Sequence, residues 1–503
     1  MNKWGLLLKM RLNILLGGQA GQGPNLLTHV LGEVLVKLGY FVFYSRDYQS
    51  LIRGGHNFNV LTFSDEPVYS NDNYIDILVA LDENTKKIHG ENLKKNSVIL
   101  KGHKENMYYA GRLFKLLGID FKILQSELKN LKIRFEENIE HAKRGYQDEK
   151  NSICILKFKK NNSYFISGIG GVSDGAIKSG LDIYYAYPMT PATPLLVELA
   201  EKQDKENIFV LELENEIGVI NAAIGSAITG AKSMVGTSGG GFDLMTEALS
   251  LTGIAEIPLV IYLAQRPGPG TGVPTYTSQG DLNMARHSGH GEFQRIIVAP
   301  GDPKEAFELT NQSFYFSQKY KIPCIILSDK HLGESYYTLT GNMKLTKSVK
   351  STKLKRYNSY EKDKDGNATE DPEIIKKNIE RRNKKKKEIE KDAKKFERYK
   401  VYGKKNSKNV ILGWGSPKGA ILDSIKNLNC KFVQLLYIEP FPKEIKKELE
   451  NNNVILVENS STGLLSNLIA EKTGIFIDKK ILRYDGRPFL ADELKKKINK
   501  VLK

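Results

Sequence analysis

The sequence predicts an α/β protein made of several doubly wound α/β domains. Short, apolar, β-rich segments alternate with segments of helical periodicity along most of the chain, and this alternation is typical of parallel sheets covered by helices. The chain has 503 residues, which is enough for about three domains at roughly 150 residues each. Its composition, 40% hydrophobic and 26% charged, is that of an ordinary folded protein and excludes a wholly disordered one.

The first of four predicted segments covers residues 1–150. An apolar strand at 11–17 runs into a glycine-rich loop, a helix begins at Pro24, and a second strand follows at 40–44. Strand, helix and strand in this order predict a βαβ unit with a parallel sheet. Further buried strands of the same sheet are expected at residues 75–81 and 97–100.

The second segment, 163–340, repeats the alternation with four strands and two helices. Its strands are expected at 181–185, 208–211, 259–263 and 324–327, and its helices at 217–231 and 243–251. The third segment, 341–405, is polar and lysine-rich, and its composition over 371–398 predicts a long exposed helix or a linker. The fourth segment, 406–503, predicts a third small α/β unit, with strands at 410–415, 432–436 and 454–457.

Cysteine usage and hydropathy exclude several classes of protein. The three cysteines, Cys154, Cys324 and Cys430, are too few and too scattered for a disulfide framework, an iron–sulfur cluster or a closed zinc site. We therefore expect a cytoplasmic chain with no metal site of its own. Charged residues interrupt the apolar amino terminus, so residues 1–16 are interpreted as a strand rather than a signal peptide. No later apolar stretch is long enough to span a bilayer, and no membrane partner is expected.

The net charge of +17 is concentrated in one region. Most of it lies in residues 344–405, which include the run Arg-Arg-Asn-Lys-Lys-Lys-Lys at 381–387. Few aromatic residues are interleaved with these cations, so the region lacks a platform on which bases could stack. The charge run is therefore interpreted as a solvated helix face, and no nucleic-acid partner is expected.

Glycines at residues 17–23 form a loop between the first strand and the first helix. Free backbone amides and the helix dipole would suit a phosphate there, but the glycine spacing differs from the dinucleotide fingerprint. A loop for an anionic ligand and a tight strand-to-helix turn both stay open. A second glycine turn at 53–55 carries a cation that could contact a phosphate or face water.

Polar residues follow three predicted strands of the second segment: Thr190, Glu216 and Arg266. Each has a structural explanation, because Thr190 could cap a helix, Glu216 could stabilise a first helical turn and Arg266 could form a surface salt bridge. A functional role for these three residues is suggested by their position at the carboxyl ends of predicted strands. The carboxyl ends of parallel strands meet at one edge of a sheet, where open α/β sheets bind ligands. We therefore expect the three side chains to lie together.

Two further features of this segment suit a ligand. Glu216 belongs to a cluster with Glu212 and Glu214, and one of these carboxylates could bind a protonatable ligand nitrogen. The loop Thr-Ser-Gly-Gly-Gly-Phe at 237–242 contains Gly239 and Gly240, where a ligand or another subunit could approach the backbone closely.

Four motifs in this order resemble the alpha subunit of 2-oxoacid:ferredoxin oxidoreductases. They are Tyr-Pro-Met-Thr-Pro at 187–191, Glu-Asn-Glu-Ile-Gly at 214–218, Thr-Ser-Gly-Gly-Gly-Phe-Asp-Leu-Met-Thr-Glu-Ala at 237–248 and Gln-Arg-Pro-Gly-Pro-Gly-Thr-Gly at 265–272. The first segment, with its glycines at 18–23 and 53–55, is similar to the gamma domain of this family, fused in front of the alpha part. The resemblance implies a thiamine-diphosphate pyrimidine-binding domain at 163–340 and a transketolase C-terminal-like domain at 406–503.

The resemblance also implies an activity and a set of partners. Members of the family oxidatively decarboxylate a 2-oxoacid with coenzyme A, giving acyl-CoA and CO2, and pass the electrons to ferredoxin. Thiamine diphosphate is shared with a beta subunit, which is expected to carry Mg²⁺ and the [4Fe-4S] cluster. We therefore expect a chain that is active only as an αβ heterodimer or an (αβ)2 assembly, in pyruvate or 2-oxoglutarate metabolism. The alternative is a non-catalytic scaffold or regulatory subunit that keeps the fold.

Roles for individual residues follow from the same resemblance. Glu216 matches the catalytic glutamate that hydrogen-bonds the aminopyrimidine ring of the cofactor, and Gly239 and Gly240 match the cofactor-binding loop. Thr190 and Arg266 match residues that contact the substrate carboxylate or carbonyl. Many members carry Arg or Lys where this chain has Tyr276, so 2-oxoglutarate specificity is in doubt, and pyruvate, branched and aryl 2-oxoacids stay open. The loop at 361–369 is also expected to be shorter than usual.

Overall fold

The computed structural model describes residues 10–49, 55–103, 105–131, 134–159, 163–350, 352–353 and 357–502. They divide into two compact units. The first lies within Met1–Ile166, Ser335–Asn342 and Leu490–Lys496, and the second within Ser167–Glu334, Met343–Phe489 and Lys497–Lys503. None of the described helices combines the length and apolar composition needed to cross a membrane. Arg53 and Gly54 of the second glycine turn, and residues 1–9 of the amino-terminal stretch, lie outside the described residues.

Strands and helices are interspersed along the described chain. The amino-terminal elements are β1 (Arg11–Gln19), α1 (Pro24–Lys37), β2 (Phe41–Asp47), β3 (His56–Ser64), β4 (Ile75–Ala80), α2 (Glu83–His89), β5 (Leu93–Leu100), α3 (Asn106–Leu116), α4 (Phe121–Leu131), α5 (Phe135–Asp148) and β6 (Ser163–Ser167). The central elements are α6 (Gly168–Lys178), β7 (Ile183–Ala186), α7 (Thr193–Glu206), β8 (Phe209–Glu212), α8 (Glu216–Ile228), β9 (Ser233–Thr237), α9 (Gly239–Ala255), β10 (Leu259–Gln265), α10 (Leu282–His287), β11 (Ile296–Val298), α11 (Pro303–Tyr320), β12 (Pro323–Asp329), α12 (Lys330–Glu334) and β13 (Tyr336–Thr340).

The remaining elements form the carboxyl-terminal part of the chain. They are α13 (Pro372–Ala393), β14 (Tyr399–Gly403), β15 (Asn409–Trp414), α14 (Lys418–Ile425), β16 (Lys431–Leu435), β17 (Tyr437–Glu439), α15 (Lys446–Leu449), β18 (Asn453–Glu458), α16 (Leu464–Thr473), β19 (Lys479–Leu482) and α17 (Ala491–Leu502). The predicted α/β class is confirmed, and the strands expected in the second and fourth segments are all present.

The sheet of the first unit is mixed, with the strand order β5-β4-β1-β3-β2-β13-β6. The prediction of a parallel βαβ sheet is therefore wrong in part. β3 pairs antiparallel with both β1 and β2, so it separates the two strands that the sequence places next to each other. Parallel pairing is found between β1 and β4 and between β4 and β5. The end strands of the predicted second segment, β6 and β13, also belong to this sheet.

The glycine-rich loop of this unit is closed by one of its own side chains. Gln22 Oε1 accepts a hydrogen bond from the Gln19 amide at 2.7 Å, and Gln22 Nε2 donates to the Leu81 carbonyl at 3.4 Å. Gly21 and Gly23 have φ of 93° and 76°, in the left-handed region that favours glycine. These contacts support the interpretation as a tight strand-to-helix turn, because they satisfy an amide that a phosphate would need.

The central sheet of the second unit has the order β17-β11-β12-β10-β9-β7-β8. All its pairs are parallel except that between β11 and β17, which is antiparallel. The carboxyl ends of β7, β8, β9 and β10 therefore lie along one edge. The carboxyl-terminal sheet has the order β14-β16-β15-β18-β19, with only β14 antiparallel.

The lysine-rich helix α13 is only partly exposed. The Asp371 carboxylate caps it by accepting hydrogen bonds from the amides of residues 373 and 374. Toward its end Ile389 and Ala393 are buried, and Asp392 accepts a hydrogen bond from Tyr315 of α11 at 2.7 Å. A long helix is thus present in the region where one was expected, and its carboxyl-terminal half packs against the rest of the second unit.

Candidate active site

Glu216 stands out among the three glutamates that follow β8. Only 3% of its surface is exposed, whereas Glu212 and Glu214 are exposed. The preceding residue caps α8, because the Asn215 side chain accepts a hydrogen bond from the Gly218 amide at 2.8 Å. The Glu216 carboxylate is therefore not needed to complete the helix. The purely structural explanation, in which Glu216 stabilises the first helical turn from the surface, does not agree with the burial of this side chain.

The Glu216 carboxylate is packed against the first turn of α9. A Cβ atom on Gly241 would lie 2.5 Å from Glu216 Oε1 and 2.2 Å from Thr237 Oγ1, so no larger residue fits there without movement. Glu216 Oε1 is inaccessible and has no hydrogen-bond partner among the described residues. A buried, unpaired carboxylate oxygen is costly. Glu216 Oε1 therefore keeps an unused hydrogen-bond acceptor beside the first turn of α9.

The three glycines that open α9 have different surroundings. A Cβ on Gly239 would lie 2.9 Å from Asp281 Oδ2, and one on Gly241 would collide with Glu216. A Cβ on Gly240 would meet only the Gly270 carbonyl oxygen, at 3.9 Å. Gly239 and Gly241 thus let two carboxylates approach the helix, while Gly240 faces open space where a ligand can reach the backbone.

Arg266 follows β10 and is directed back into the protein. It is 9% exposed, and its Nη1 donates a hydrogen bond to the Thr190 carbonyl at 2.6 Å. Thr190 does not cap α7, because that helix starts at Thr193 and has no side-chain cap. Burial lowers the pKa of Arg266, while the negative charges of Asp281 and Glu216 act to raise it. Arg266 thus contacts the backbone of Thr190 and lies within the electrostatic reach of Glu216, whereas the roles of the three residues stay predictions.

A cleft of about 560 Å³ opens beside Arg266. Its walls come from the first turn of α9, the turn after β10 and two loops of the carboxyl-terminal part, at 460–464 and 484–486. Arg266, Asp281 and Gly240 contribute to the lining. The central and the carboxyl-terminal parts of the second unit therefore both line one cavity. This cavity lies at the carboxyl edge of the central sheet, which is the usual place for a ligand in such folds.

Asp281, which immediately precedes α10, is the residue that sequence reasoning missed. Its Oδ2 is inaccessible and has no hydrogen-bond partner among the described residues. The only signal in the sequence is an aspartate before a short helix, and that pattern normally indicates a helix cap.

Tyr276 is stacked rather than free. The guanidinium carbon of Arg487 lies 3.8 Å from the centre of its ring, and the Thr277 amide beside it donates to the Gly486 carbonyl at 3.0 Å. Arg487, from a distant part of the sequence, therefore places a cation against the Tyr276 ring. Tyr276 itself is not among the residues that line the cleft.

Two family models match this chain. The model described as pyruvate flavodoxin/ferredoxin oxidoreductase, thiamine diphosphate-binding, matches residues 174–407. The model described as pyruvate ferredoxin/flavodoxin oxidoreductase matches residues 13–104. The first match contains Thr190, Glu216 and Arg266, and the second contains the glycine-rich loop.

Similar proteins extend this result over nearly the whole chain. The 2-oxoacid:ferredoxin oxidoreductase subunit alpha of a Sulfolobus species is 29% identical over 98% of this chain and 97% of its own. The 2-oxoglutarate synthase subunit KorA of Methanocaldococcus jannaschii is 28% identical over 58% of this chain and 87% of its own. A solved 2-oxoglutarate:ferredoxin oxidoreductase from Magnetococcus marinus, with 2-oxoglutarate, coenzyme A and succinyl-CoA bound, has the same fold. The alignment of the two structures covers 98% of this chain and 100% of the Magnetococcus marinus chain, with a TM-score of 0.87 and 22% sequence identity.

The fold and the site together define a chain with a thiamine-diphosphate-binding α/β domain. The chain belongs to the 2-oxoacid:ferredoxin oxidoreductase family, and over its length it matches alpha subunits of that family. The resemblance found in its four motifs is thereby confirmed.

Proposed function

We propose that this chain is the alpha subunit of a thiamine-diphosphate-dependent 2-oxoacid:ferredoxin oxidoreductase. The reaction is the oxidative decarboxylation of a 2-oxoacid with coenzyme A to acyl-CoA and CO2, with electrons passing to ferredoxin. The observation that carries the proposal is the buried, unpaired Glu216 Oε1 beside the first turn of α9. A scaffold that had lost its chemistry would have no reason to keep this costly arrangement.

The residues at this edge of the sheet fit the cofactor. Glu216 supplies a buried acceptor for the aminopyrimidine ring, and Gly240 leaves the backbone of α9 open to close approach. When bound, thiamine diphosphate supplies the electron sink that decarboxylation of a 2-oxoacid requires. Mg²⁺ and a [4Fe-4S] cluster are assigned to a beta subunit, so the complete enzyme is an αβ heterodimer or an (αβ)2 assembly.

Arg266 and Thr190 are assigned to the 2-oxoacid. The guanidinium has five N–H donors, and the contact with the Thr190 carbonyl uses one nitrogen, Nη1. The remaining donors can pair with a carboxylate in the cleft, where the planar fork of arginine gives two parallel hydrogen bonds. The burial of Arg266 strengthens such a pair relative to one in water.

Tyr276 and Arg487 each adjoin a residue that lines the cleft, Thr277 and Gly486 respectively, and we assign this pair to the far end of the 2-oxoacid. The phenol carries no charge at neutral pH, but the stacked guanidinium 3.8 Å from its ring centre supplies one. Dicarboxylic and monocarboxylic 2-oxoacids are therefore both candidates, and a substrate panel must contain both kinds.

The test is viologen reduction by this chain co-expressed with its presumed beta partner, across 2-oxoacids, with and without coenzyme A. We expect CoA-dependent reduction that falls by roughly a hundredfold or more in Glu216→Gln, as for loss of a catalytic acid–base group. Glu214→Gln is the matched control, because Glu214 is exposed two residues away, and it should keep the wild-type rate. If the cofactor-loaded complex fails to reduce viologen with every 2-oxoacid of the panel, the proposal is overturned in favour of a scaffold subunit.

A further inference from the structure

Asp281 occupies a helix-capping position without capping the helix. It directly precedes α10, yet its side chain makes no capping hydrogen bond. Its backbone is fixed instead, because the Asp281 amide donates to Gln265 Oε1 at 3.0 Å, and Gln265 Nε2 donates to the Ser328 carbonyl at 3.0 Å. Gln265 is fully buried at the end of β10. The backbone of Asp281 is thus tied to Gln265, the residue before Arg266, and its carboxylate does not serve as the helix cap that this position usually provides.

The Asp281 side chain is accommodated at the edge of the cleft. A Cβ on residue 239 would lie 2.9 Å from Oδ2, so the glycine lets the carboxylate lie against the first turn of α9 without displacement. Asp281, Gly239 and Arg266 all contribute to the lining of the cleft. Asp281 Oδ2 has no hydrogen-bond partner among the described residues, and the charges of Asp281 and Arg266 affect each other, so the carboxylate can respond to an anion bound in the cleft.

The charges around this carboxylate are unbalanced. Asp243 on α9 and Arg266 after β10 are the charged groups whose fields act on Asp281. Arg266 in turn experiences the fields of Asp281 and Glu216. Arg266 therefore faces two carboxylates, Asp281 and Glu216, and Asp243 adds a third negative charge near Asp281 when all are ionised. A 2-oxoacid is itself an anion, so its carboxylate can reach Arg266 only against this excess of negative charge.

We propose that Asp281 is a positioning residue that takes up one proton from solvent when the carboxylate of a 2-oxoacid pairs with Arg266. The proton returns to solvent when the anion leaves. Protonation removes the competing negative charge beside Arg266 and turns Asp281 from an acceptor into a hydrogen-bond donor at the cleft. This assignment rests on the proposed function, because it requires a 2-oxoacid as the anion.

The titration of Asp281 falls in the range that this role requires. Burial and the negative charge of Asp243 raise the pKa of Asp281 to about 6, against the opposing effect of Arg266. Below pH 6 the group is protonated before the substrate arrives, and above pH 6 binding must be accompanied by proton uptake. Binding and protonation are linked, so the affinity for the 2-oxoacid should fall by up to about tenfold per pH unit above this range.

The test compares wild type with Asp281→Asn in the αβ complex, using the best 2-oxoacid of the panel between about pH 5 and pH 8.5. In wild type, KM should rise with pH above 6. In Asp281→Asn, which is neutral at every pH, KM should stay flat and at pH 8, two units above the pKa of Asp281, lie up to about a hundredfold below wild type. The two enzymes should converge near pH 5. Glu247→Gln is the control, because Glu247 is exposed on α9 and is not among the cleft residues, and its profile should follow wild type.

Calorimetry gives a readout that needs neither turnover nor a variant. Oxamate, an unreactive 2-oxoacid analogue, is titrated into the wild-type complex at pH 7.5 in two buffers of different ionisation enthalpy. Uptake of close to one proton supports the proposal, and binding without proton uptake overturns it.

The kinetic outcomes separate this proposal from the proposed function. A wild-type complex that turns over 2-oxoacids with a pH-independent KM, or an Asp281→Asn profile parallel to wild type, overturns the role of Asp281 alone. A loss of kcat at unchanged KM would also overturn it, because that pattern belongs to a residue acting in the chemical step. The absence of turnover with every 2-oxoacid removes the proposed function and this proposal together.

Discussion

Two buried glutamates of the second unit differ in how their charge is satisfied. Glu216 and Glu305 are 3% and 1% exposed. Glu305 Oε1 accepts hydrogen bonds from Lys418 at 2.5 Å and Lys400 at 3.0 Å. Its Oε2 accepts from the Gly301 amide at 2.9 Å and from Gln434 at 2.7 Å. Glu216 Oε1 accepts none among the described residues.

The comparison separates a carboxylate that is fully paired within the fold from one that we propose for the cofactor. Lys418 lies at the start of α14 and Glu305 in the first turn of α11, so their ion pair joins the central domain to the carboxyl-terminal domain. Burial acts to raise the pKa of Glu305, but Lys418 and Lys400 outweigh it and hold the pKa below its ordinary value. Because the folded-state pKa is lowered, this stabilisation is present above about pH 4.5 and is lost as pH falls further.

Breaking the structural pair should give the largest loss of stability. Lys418→Met leaves the buried Glu305 carboxylate with one cation fewer and also removes the partner of Asp302. We expect a cost of roughly 3–5 kcal/mol, as for other buried ion pairs that lose one member. Thermal unfolding of the αβ complex measures it as a lowered melting temperature.

A surface pair provides the control for that variant. Lys446 and Glu450 are both about half exposed and 3.6 Å apart, and such pairs contribute about 0–1 kcal/mol. Lys446→Met should therefore leave the melting temperature almost unchanged. Equal effects of the two variants would mean that Glu305 is not stabilised by its partners in the way that the contacts indicate.

Crowding the unpaired glutamate should have a smaller effect on stability and a clear effect on activity. Gly241→Ala places a Cβ 2.5 Å from Glu216 Oε1, and overpacking of this kind costs about 1–3 kcal/mol. The shifted carboxylate should also lower the rate of viologen reduction. Gly225→Ala is the matched control, since a Cβ in that part of α8 meets nothing within 4 Å. If both variants behave like wild type, the packing of Glu216 on α9 does not matter for activity.

Removing the second cation from Glu305 should have the smallest effect. The Lys400 side chain is 20% exposed, and Lys418 stays in place, so Lys400→Met should cost about 1 kcal/mol. The stabilisation should also become less sensitive to acid, which unfolding at pH 4 and pH 7 can measure. A cost as large as that of Lys418→Met would show that the two cations are equivalent, contrary to their different burial.

The sequence predicts the central sheet well because its strands are locally apolar and connected by helices. It does not predict the mixed sheet of the first unit. β3 contains the buried polar residues Asn59, Thr62 and Ser64, which weaken the apolar pattern of a strand. Its antiparallel insertion between β1 and β2 depends on pairings between distant residues, and no local pattern carries that information.

The candidate site, like the fold, could be predicted from the sequence only in part. Thr190, Glu216 and Arg266 are predictable because each follows a strand whose carboxyl end lies on a common edge. The choice of Glu216 over Glu212 and Glu214 came from the family resemblance, and the structure adds that only Glu216 is buried. Asp281 could not be found from sequence, because whether an aspartate before a helix caps it depends on where the side chain points.

The most direct test of a carboxylate reserved for a cofactor is calorimetric titration of the cofactor-free αβ complex with thiamine diphosphate. Replacing Glu216 by Gln removes a charged acceptor, so the affinity of Glu216→Gln for thiamine diphosphate should be at least about tenfold weaker than that of wild type. Glu214→Gln should bind as wild type does. Equal affinity in wild type and Glu216→Gln would contradict the assignment of the unpaired oxygen to the cofactor.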